Sequence, residues 1–324
     1  MNDTLRLLRF LIEKARSGER TALVTITDVT GSSSRAPGTQ LVVSQAGAFL
    51  GSLSGGCVEA AVVAEARQAI ATDRATSLRL GQGSPYIDLR LPCGGGMDVS
   101  IVPEPALPVL EQAHARLSAR LETGISLGRD GALGLLPDPA SVETGWNGDG
   151  FLVRYDPVLR VVIIGSGAET TALTSLAIAF GAEVEVFSPA DAVLAYAERE
   201  GAAVCRLSVP GPAASLRADP QTAIVMLFHD HDWETELLAQ CLGQEAFFVG
   251  AMGSRRTHEV RTRKLLDLGV PRPLLDRLTA PLGLIPSTRD PASLALSTLS
   301  HIVSAHHASR RKRERPGLVP VRSE

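Results

Sequence analysis

The sequence is poor in the features that mark several classes of protein. Aromatic residues make up only 4% of it, and the net charge of −3 creates no field that would attract nucleic acid or a membrane surface. No apolar run approaches the roughly 18 residues that a membrane span requires. The first ten residues alternate charge with leucine, unlike the uninterrupted apolar core of a signal peptide. We therefore expect a cytoplasmic protein with no nucleic-acid or membrane partner.

Cysteine is also scarce and dispersed. The four cysteines are Cys57, Cys93, Cys205 and Cys241, and none belongs to a CxxC pair. This spacing argues against a structural zinc site, and a reducing cytosol argues against a disulfide framework. A cysteine therefore needs a local reason before it counts as functional.

The 324 residues suggest about two domains. We expect an α/β protein, with an amino-terminal α+β domain built on a mixed sheet over residues 1–136. A stretch rich in Pro, Asp, Gly and Asn predicts a linker over 137–157. From 158 to 308, strands and helices alternate, which predicts a Rossmann-like, doubly wound parallel sheet. The basic residues 309–324 predict a disordered tail.

The stretch 52–65 organises the first domain. A short strand over 49–53 gives way to Ser54, Gly55 and Gly56, and an Ala- and Val-rich helix follows. Ser54 is a candidate helix cap, and glycines let a ligand approach the backbone closely. The first turn of a helix favours anions, and the same field would favour a thiolate at Cys57. The alternative is a tight strand-to-helix turn with a small buried cysteine.

Two further loops of the first domain repeat this chemistry. Cys93 is followed by Gly94, Gly95 and Gly96, which again places bare backbone next to a thiol. The small-residue loop 31–38 carries Arg35, whose guanidinium suits an anion, although a solvated turn is an equal interpretation. Two cysteine–glycine loops in one domain indicate that their backbones face a common ligand.

The second domain opens with an incomplete dinucleotide fingerprint. Gly165 and Gly167 follow a buried strand, but Thr170 stands in the third glycine position. Ser188 stands where an acidic residue would bind a ribose, which weakens an assignment of NAD(P). The pattern is therefore a stronger signal for the fold than for the cofactor.

Two later loops follow strands of the same predicted sheet. Residues 229–232 read His-Asp-His-Asp, including His229 and His231, and could ligate a metal; capping of the next helix by Asp230 or Asp232 explains them as well. Gly253, Ser254 and Arg255 open a helix and describe a phosphate seat. A capped helix with solvated arginines is the alternative.

With these motifs assembled, the chain resembles the XdhC/CoxI family of accessory proteins for molybdenum hydroxylases. The likeness lies in Gly31, Ser32, Arg35 and Gly38, and in residues 51–59, 91–96, 162–167, 229–231, 249–256, 281–284 and 290–291. The Ser-Gly-Gly-Cys-Val-Glu run at 54–59 is the most specific of these motifs.

This resemblance implies a chaperone without turnover of its own, which binds molybdenum cofactor as molybdopterin or its cytosine dinucleotide form. The family's partners imply an apo molybdenum hydroxylase, a cysteine desulfurase and a homodimer. We expect Cys57 and Cys93 to face the molybdenum or the transferred sulfur. Arg35, Gly55 and Gly56 would hold anionic groups, and Glu59 would orient the site.

Two other functions remain open at this point. Gly165 to Thr170 would support an NAD(P)-dependent oxidoreductase, and the phosphate seats would support a regulatory module that acts as a scaffold. Binding of NADH or NADPH would favour the first, and purification without pterin would favour the second.

Overall fold

The computed structural model describes residues 4–31, 35–56, 58–84, 94–229 and 232–314, with the side chains of 312–314 excepted. The chain divides into two compact units at the junction between Pro157 and Val158. Each unit is described separately below.

The amino-terminal unit is built on a five-stranded sheet whose neighbouring strands are all antiparallel. The strand order is β3-β2-β1-β5-β4. The elements are α1 (Thr4–Arg16), β1 (Thr21–Thr30), β2 (Gln40–Ser44), β3 (Phe49–Gly51), α2 (Glu59–Thr72), β4 (Thr76–Gly81) and β5 (Gly96–Pro103).

Helices cover this sheet on both faces. Val24 and Ile26 of β1 pack in one cluster with Val62 and Ala66 of α2. Leu23, which points to the opposite face, packs with α1 instead. Because alternate side chains enter two different cores, β1 is buried at each of its first seven positions rather than at every second one.

A second antiparallel sheet completes this unit, with the order β7-β6-β9-β8. Its elements are α3 (Leu107–Ser118), β6 (Thr123–Gly128), β7 (Leu133–Leu135), a 3₁₀ turn (Pro139–Ser141), β8 (Gly145–Asn147) and β9 (Gly150–Tyr155). The unit therefore has two antiparallel sheets where we expected one mixed sheet.

The linker expected over 137–157 contains two of these strands. Phe151, Val153 and Tyr155 are buried at alternate positions of β9, which is the period of a half-buried strand. The Gly, Asn and Asp residues around 147–150 form the turn between β8 and β9 rather than a flexible connection. The composition of the turn concealed the alternation next to it.

The carboxyl-terminal unit is a six-stranded parallel sheet with the order β12-β11-β10-β13-β14-β15. Its first elements are β10 (Arg160–Gly165), α4 (Ala168–Phe180), β11 (Glu183–Ser188), α5 (Asp191–Glu200), β12 (Ala203–Arg206) and β13 (Thr222–Leu227). The remainder are α6 (Thr235–Leu242), β14 (Phe248–Ala251), α7 (Arg255–Asp267), α8 (Arg272–Leu275), β15 (Leu278–Thr279) and α9 (Pro291–Glu314).

Helices pack on both faces of this sheet, so the predicted doubly wound fold is confirmed. Leu173 of α4 and Ile302 of α9 lie in one core, and Leu238 of α6 and Leu265 of α7 lie in the other. The strand order changes direction between β10 and β13. In such folds ligands bind outside the carboxyl ends of the strands at this point.

The last helix is longer than expected. We predicted a disordered tail from residue 309, but α9 runs from Pro291 to Glu314. Its final turns are rich in Arg and Lys, which are good helix formers and are favoured at a helix carboxyl terminus. Residues 315–324 lie outside the described part. Within the described residues, no helix combines the length and apolar character needed for a membrane crossing.

Candidate functional site

Three loops leave the five-stranded sheet at the same end. β1 ends at Thr30, opposite Gly96 at the start of β5, and Gly96 also pairs with Gly81 at the end of β4. Gly51 ends β3 opposite Leu41. Because neighbouring strands are antiparallel, the loops after β1, after β3 and between β4 and β5 share one end of the sheet.

Side-chain and backbone contacts tie these loops together. The Arg35 Nε donates to the Ser52 carbonyl at 3.3 Å, and a Cβ added to Gly31 would lie 3.4 Å from the Gly95 Cα. The structure thus brings seven predicted site residues to this end: Arg35, Ser54, Gly55, Gly56, Glu59, Gly94 and Gly95. Cys57 and Cys93 lie outside the described residues.

Glu59 is the first residue of α2. Its carboxylate lies at the centre of the preceding segment, residues 52–58, which we call the glycine loop. Its side chain is buried, with 6% of the residue exposed. Its carboxylate accepts seven hydrogen bonds of 2.8–3.2 Å. The donors are the hydroxyls of Ser52 and Ser54 and the amides of Leu53, Ser54, Gly55, Gly56 and Val58.

These bonds determine the ionisation of Glu59. Burial raises the pKa of the carboxyl, but the hydrogen bonds from the amide and hydroxyl of Ser54 and the hydroxyl of Ser52 outweigh it. The pKa falls from 4.5 to about 2. Glu59 is therefore a carboxylate at neutral pH, held by the loop that surrounds it.

This geometry corrects two expectations for the glycine loop. We expected its amides to be available to an anionic ligand, but those of Gly55, Gly56 and Val58 point at Glu59. We also expected Ser54 to cap α2; the cap position is Val58, and no side chain caps it. Ser54 instead joins the ring of donors around the carboxylate.

The outer side of the loop is open. Gly55 and Gly56 have φ of +86° and +119°, a backbone region that residues other than glycine rarely adopt. Among the described residues, nothing lies within 4 Å of a Cβ added at either position, or at Gly94 with its φ of +70°. The described residues thus leave the backbone next to both cysteine positions open.

In the carboxyl-terminal unit, the glycine turn (residues 165–167) also lies next to a carboxylate. Glu169, in the first turn of α4, places its Oε2 2.6 Å from where a Cβ of Gly167 would lie. Its Oε1 lies 3.4 Å from the Nε2 of His229, which follows β13. Thr170 is fully buried against Gly165.

These features argue against a dinucleotide bound in the usual way. The pyrophosphate of a dinucleotide would lie over the glycine turn and the amino terminus of α4, where Glu169 adds negative charge. Ser188, which replaces the ribose-binding acid, is fully buried and accepts a hydrogen bond from the Ala190 amide. It contributes a turn rather than a ribose contact.

A cleft of about 750 Å³ lies at the carboxyl ends of β13 and β14. Its lining includes the predicted residues Gly253, Ser254 and Arg255, together with Glu169 and His229. Ser254 caps α7, because its side chain accepts a hydrogen bond from the Thr257 amide at 3.1 Å. The cap and the cleft therefore occur together, although they were stated as alternatives.

The candidate metal loop gains no support. No group of three His, Cys, Asp or Glu residues that could hold a metal occurs within the described ranges. His229 pairs with Glu169 instead, and Asp230 and His231 lie outside those ranges. The expected cap by Asp232 is wrong, since the cap position of α6 is Glu234, with no capping side chain.

Sequence reasoning missed four charged residues near these features. Arg79 bonds Thr30, Gln82 and Asp98 and so fixes the base of the loop end. Glu169 could have been noticed as an acid two residues after Gly167. The buried ion pair of Arg261 with Glu234, at 2.7 Å, joins positions 27 residues apart and has no sequence signal.

Comparisons with known proteins agree with this architecture. Residues 161–302 match the family described as the XdhC Rossmann domain, and residues 15–81 match the XdhC and CoxI family. The chain is 35% identical over 307 residues to the molybdenum cofactor insertion chaperone PaoD of Escherichia coli strain K12. That alignment covers 94% of this chain and 89% of PaoD.

Two more distant similarities extend the comparison. The uncharacterized protein YqeB of the same organism is 26% identical over 222 residues, which are 65% of this chain and 37% of YqeB. A crystal structure from Bacillus halodurans, named as a xanthine dehydrogenase, has a TM-score of 0.75 at 21% identity. It covers 95% of this chain and 97% of that chain, and at this identity it shows the fold alone.

Proposed function

This chain belongs to the XdhC and CoxI family, and we propose that it is a molybdenum cofactor chaperone rather than an enzyme. It would bind the cofactor, protect it, support its sulfuration and insert it into an apo molybdenum hydroxylase of the xanthine dehydrogenase or aldehyde oxidoreductase type. The similarity to PaoD, named as an insertion chaperone, supports insertion because it extends over 94% of the chain. Sulfuration by a cysteine desulfurase, a homodimer and a cytoplasmic location are further parts of the proposal.

The observation that carries the proposal is the loop end of the five-stranded sheet. Gly55, Gly56 and Gly94 leave the backbone open there, next to Cys57 and Cys93 in the sequence. The cargo is a bulky molybdenum compound with sulfur ligands and a phosphate, in either the molybdopterin or the cytosine dinucleotide form. Open backbone beside a thiol suits such a ligand, because none of the described residues lies within 4 Å of a Cβ added at these glycines.

The roles of the residues follow from this arrangement, with one revision. Cys57 and Cys93 would face the molybdenum or the sulfur being transferred. Glu59 would orient the loop, as its seven hydrogen bonds support. Because Glu59 already engages the amides, anionic groups of the cargo would be met by Arg35, which is exposed and bonded to the loop.

The carboxyl-terminal cleft would contribute to cofactor handling through Gly253, Ser254 and Arg255, with Gly165 and Gly167 at its margin. An NAD(P)-dependent oxidoreductase is the alternative function. It rests on residues 165–170, whereas Glu169 on the glycine turn and the buried Ser188 both argue against it.

The test compares Cys57→Ala with Cys205→Ala, a matched control in the carboxyl-terminal unit where the thiol is partly exposed. Both would be purified from a host that makes molybdenum cofactor, and bound molybdenum and pterin fluorescence measured. We expect Cys57→Ala to retain at least about tenfold less molybdenum and pterin, which corresponds to a loss of about 1.4 kcal/mol of binding free energy. Cys205→Ala should match the wild type.

Circular dichroism would establish that both variants are folded. Equal retention of molybdenum and pterin in the folded Cys57→Ala protein would remove the role of Cys57. Absence of cofactor from the wild type as well would contradict the chaperone function itself.

A further inference from the structure

We propose that the cleft of the carboxyl-terminal unit binds a phosphorylated heterocycle of nucleotide size, with its phosphate at the amino terminus of α7. This inference rests on the proposed function in one respect: the compound is either the phosphate-bearing part of the cofactor or a free nucleotide. Dinucleotide-binding folds usually bind phosphate at the glycine turn. Here the acidic residue lies on the glycine turn and the cationic residues follow β14, so the expected position of the phosphate differs from the usual one.

The position and size of the cleft suit such a ligand. It opens beside His229, which follows β13, and Met252, which follows β14, close to the point where the strand order changes direction. Its volume of about 750 Å³ lies within the roughly 300–1,000 Å³ of small-molecule sites. A phosphate alone would leave most of this space unfilled.

The amino terminus of α7 forms the cationic end. The first intrahelical bond runs from the His258 amide to the Ser254 carbonyl, so the amides of Arg255 and Arg256 precede the hydrogen-bonded ladder. α7 is 13 residues long, and Arg255 lines the cleft at its start. Arg289 lines the cleft as well, and is exposed. Two guanidinium groups and a helix terminus favour a phosphate over a neutral group.

A buried guanidinium behind this end is an independent indication of an anion. The Arg261 side chain is only 3% exposed, and its Nη2 donates to the Met252 carbonyl at 2.7 Å. That nitrogen lies 3.5 Å from where a Cβ of Gly253 would stand, and both Met252 and Gly253 line the cleft. Glu234 takes one bond from Nη2, but Nε and Nη1 have no acceptor within the described residues. Nε and Nη1 have almost no accessible surface, so an anion at this turn would be favoured by the charge of this guanidinium rather than by accepting these two bonds.

The part of the cleft lined by Glu169 and His229 disfavours a phosphate. Glu169 places a carboxylate on the glycine turn, paired with His229, so an anion there would be repelled. A sugar hydroxyl or a ring amino group can instead donate to that carboxylate. The strap (residues 281–290) adds an apolar part of the lining that includes Leu282, Leu284 and Ile285. Such a lining suits a flat ring.

Calorimetric titration of cofactor-free full-length protein with AMP, CMP, inorganic phosphate and NADH tests the proposal. We expect AMP or CMP to bind at least about tenfold more tightly than inorganic phosphate, since ring and hydroxyl contacts add to those of the phosphate. Arg255→Ala should weaken nucleotide binding about tenfold, as loss of a charge-assisted contact does. Arg263→Ala, an exposed arginine of the same helix outside the cleft, should change it less than about twofold.

Glu169→Gln is expected to weaken nucleotide binding and to leave phosphate binding unchanged. The proposal is overturned if neither nucleotide binds, if Arg255→Ala binds as the wild type does, or if phosphate alone binds as tightly as the nucleotides. NADH binding that exceeds both mononucleotides would also overturn it, in favour of a dinucleotide site.

Repeating the titration with cofactor-loaded protein identifies the source. Loss of nucleotide binding there would assign the cleft to the cofactor's phosphate-bearing part, and unchanged binding would assign it to a free nucleotide; either outcome supports the site. Failure of the chaperone function is separate, because the wild type would then purify without molybdenum and pterin, whatever the nucleotides do.

Discussion

In each unit a glycine segment precedes a helix and lies next to a carboxylate of that helix. In the amino-terminal unit Glu59 is buried among seven donors. In the carboxyl-terminal unit the Glu169 side chain is 17% exposed and contacts His229, whose side chain is 69% exposed. Glycines before a helix therefore do not by themselves predict a site for an external anion, since an acid in the first turn can occupy the same field.

The two carboxylates differ in what they do for the fold. Glu59 accepts hydrogen bonds from five backbone amides of the loop, of which those of Gly55 and Val58 also have a serine hydroxyl as acceptor. Glu169 touches a solvent-exposed imidazole, and water can replace that contact. We infer that Glu59 fixes the shape of its loop, whereas Glu169 sets the charge of a cleft whose shape is fixed by other residues.

The largest expected effect comes from Glu59→Gln. The amide would lose the charge that strengthens the hydrogen bonds, and its NH₂ group would face N–H donors. We expect the amino-terminal unit to lose about 3 kcal/mol of unfolding free energy. The measurement is urea unfolding, followed by the fluorescence of Trp146 in a Trp233→Phe background. The chain has two tryptophans, one in each unit, so the signal reports on the amino-terminal unit.

A local measurement guards against a merely global loss. Hydrogen exchange over residues 52–59 should accelerate in Glu59→Gln under conditions where the central strand β1 stays protected. If the stability and the exchange of the loop both match the wild type, the ring of donors does not fix the loop.

A smaller effect is expected from acid. Because the pKa of Glu59 is lowered from 4.5 to about 2 on folding, its contribution is present above pH 4.5 and is lost as the pH falls towards 2. For these two pKa values the wild type should lose about 2 kcal/mol from this group between pH 6 and pH 3. The measurement is the difference in unfolding free energy between wild type and Glu59→Gln at the two pH values. A difference that stays constant with pH would contradict the lowered pKa.

Much of the fold followed from periodicity in the sequence. The strands of the parallel sheet are short continuous apolar runs separated by helices, and this pattern indicates a doubly wound domain. The strands at 145–155 were missed because turn residues dominate that stretch, although Phe151, Val153 and Tyr155 alternate. A pairing across two sheets, such as the Tyr155 hydroxyl with Gln40 at 2.8 Å, has no counterpart in local sequence.

The site was predicted less completely, for a physical reason. Small residues and charges identified which loops matter, and the sheet brings those loops together. What the residue types do not reveal is the direction in which an amide points. The amides of Gly55 and Gly56 were assigned to a ligand, and the chain's own Glu59 receives them. Arg261 and Glu234 were missed because their contact depends on tertiary packing of α6 against α7.

The smallest effect is expected at the carboxylate of the carboxyl-terminal unit. Glu169→Gln makes the same chemical change as Glu59→Gln, at a carboxylate that holds no backbone loop. We expect the unfolding free energy of the carboxyl-terminal unit to change by less than about 0.5 kcal/mol, because the contact with His229 is solvent-screened. Urea unfolding followed by Trp233 fluorescence in a Trp146→Phe background measures it. A loss comparable to that of Glu59→Gln would mean that both carboxylates hold their loops, and the distinction drawn between the two units would fail.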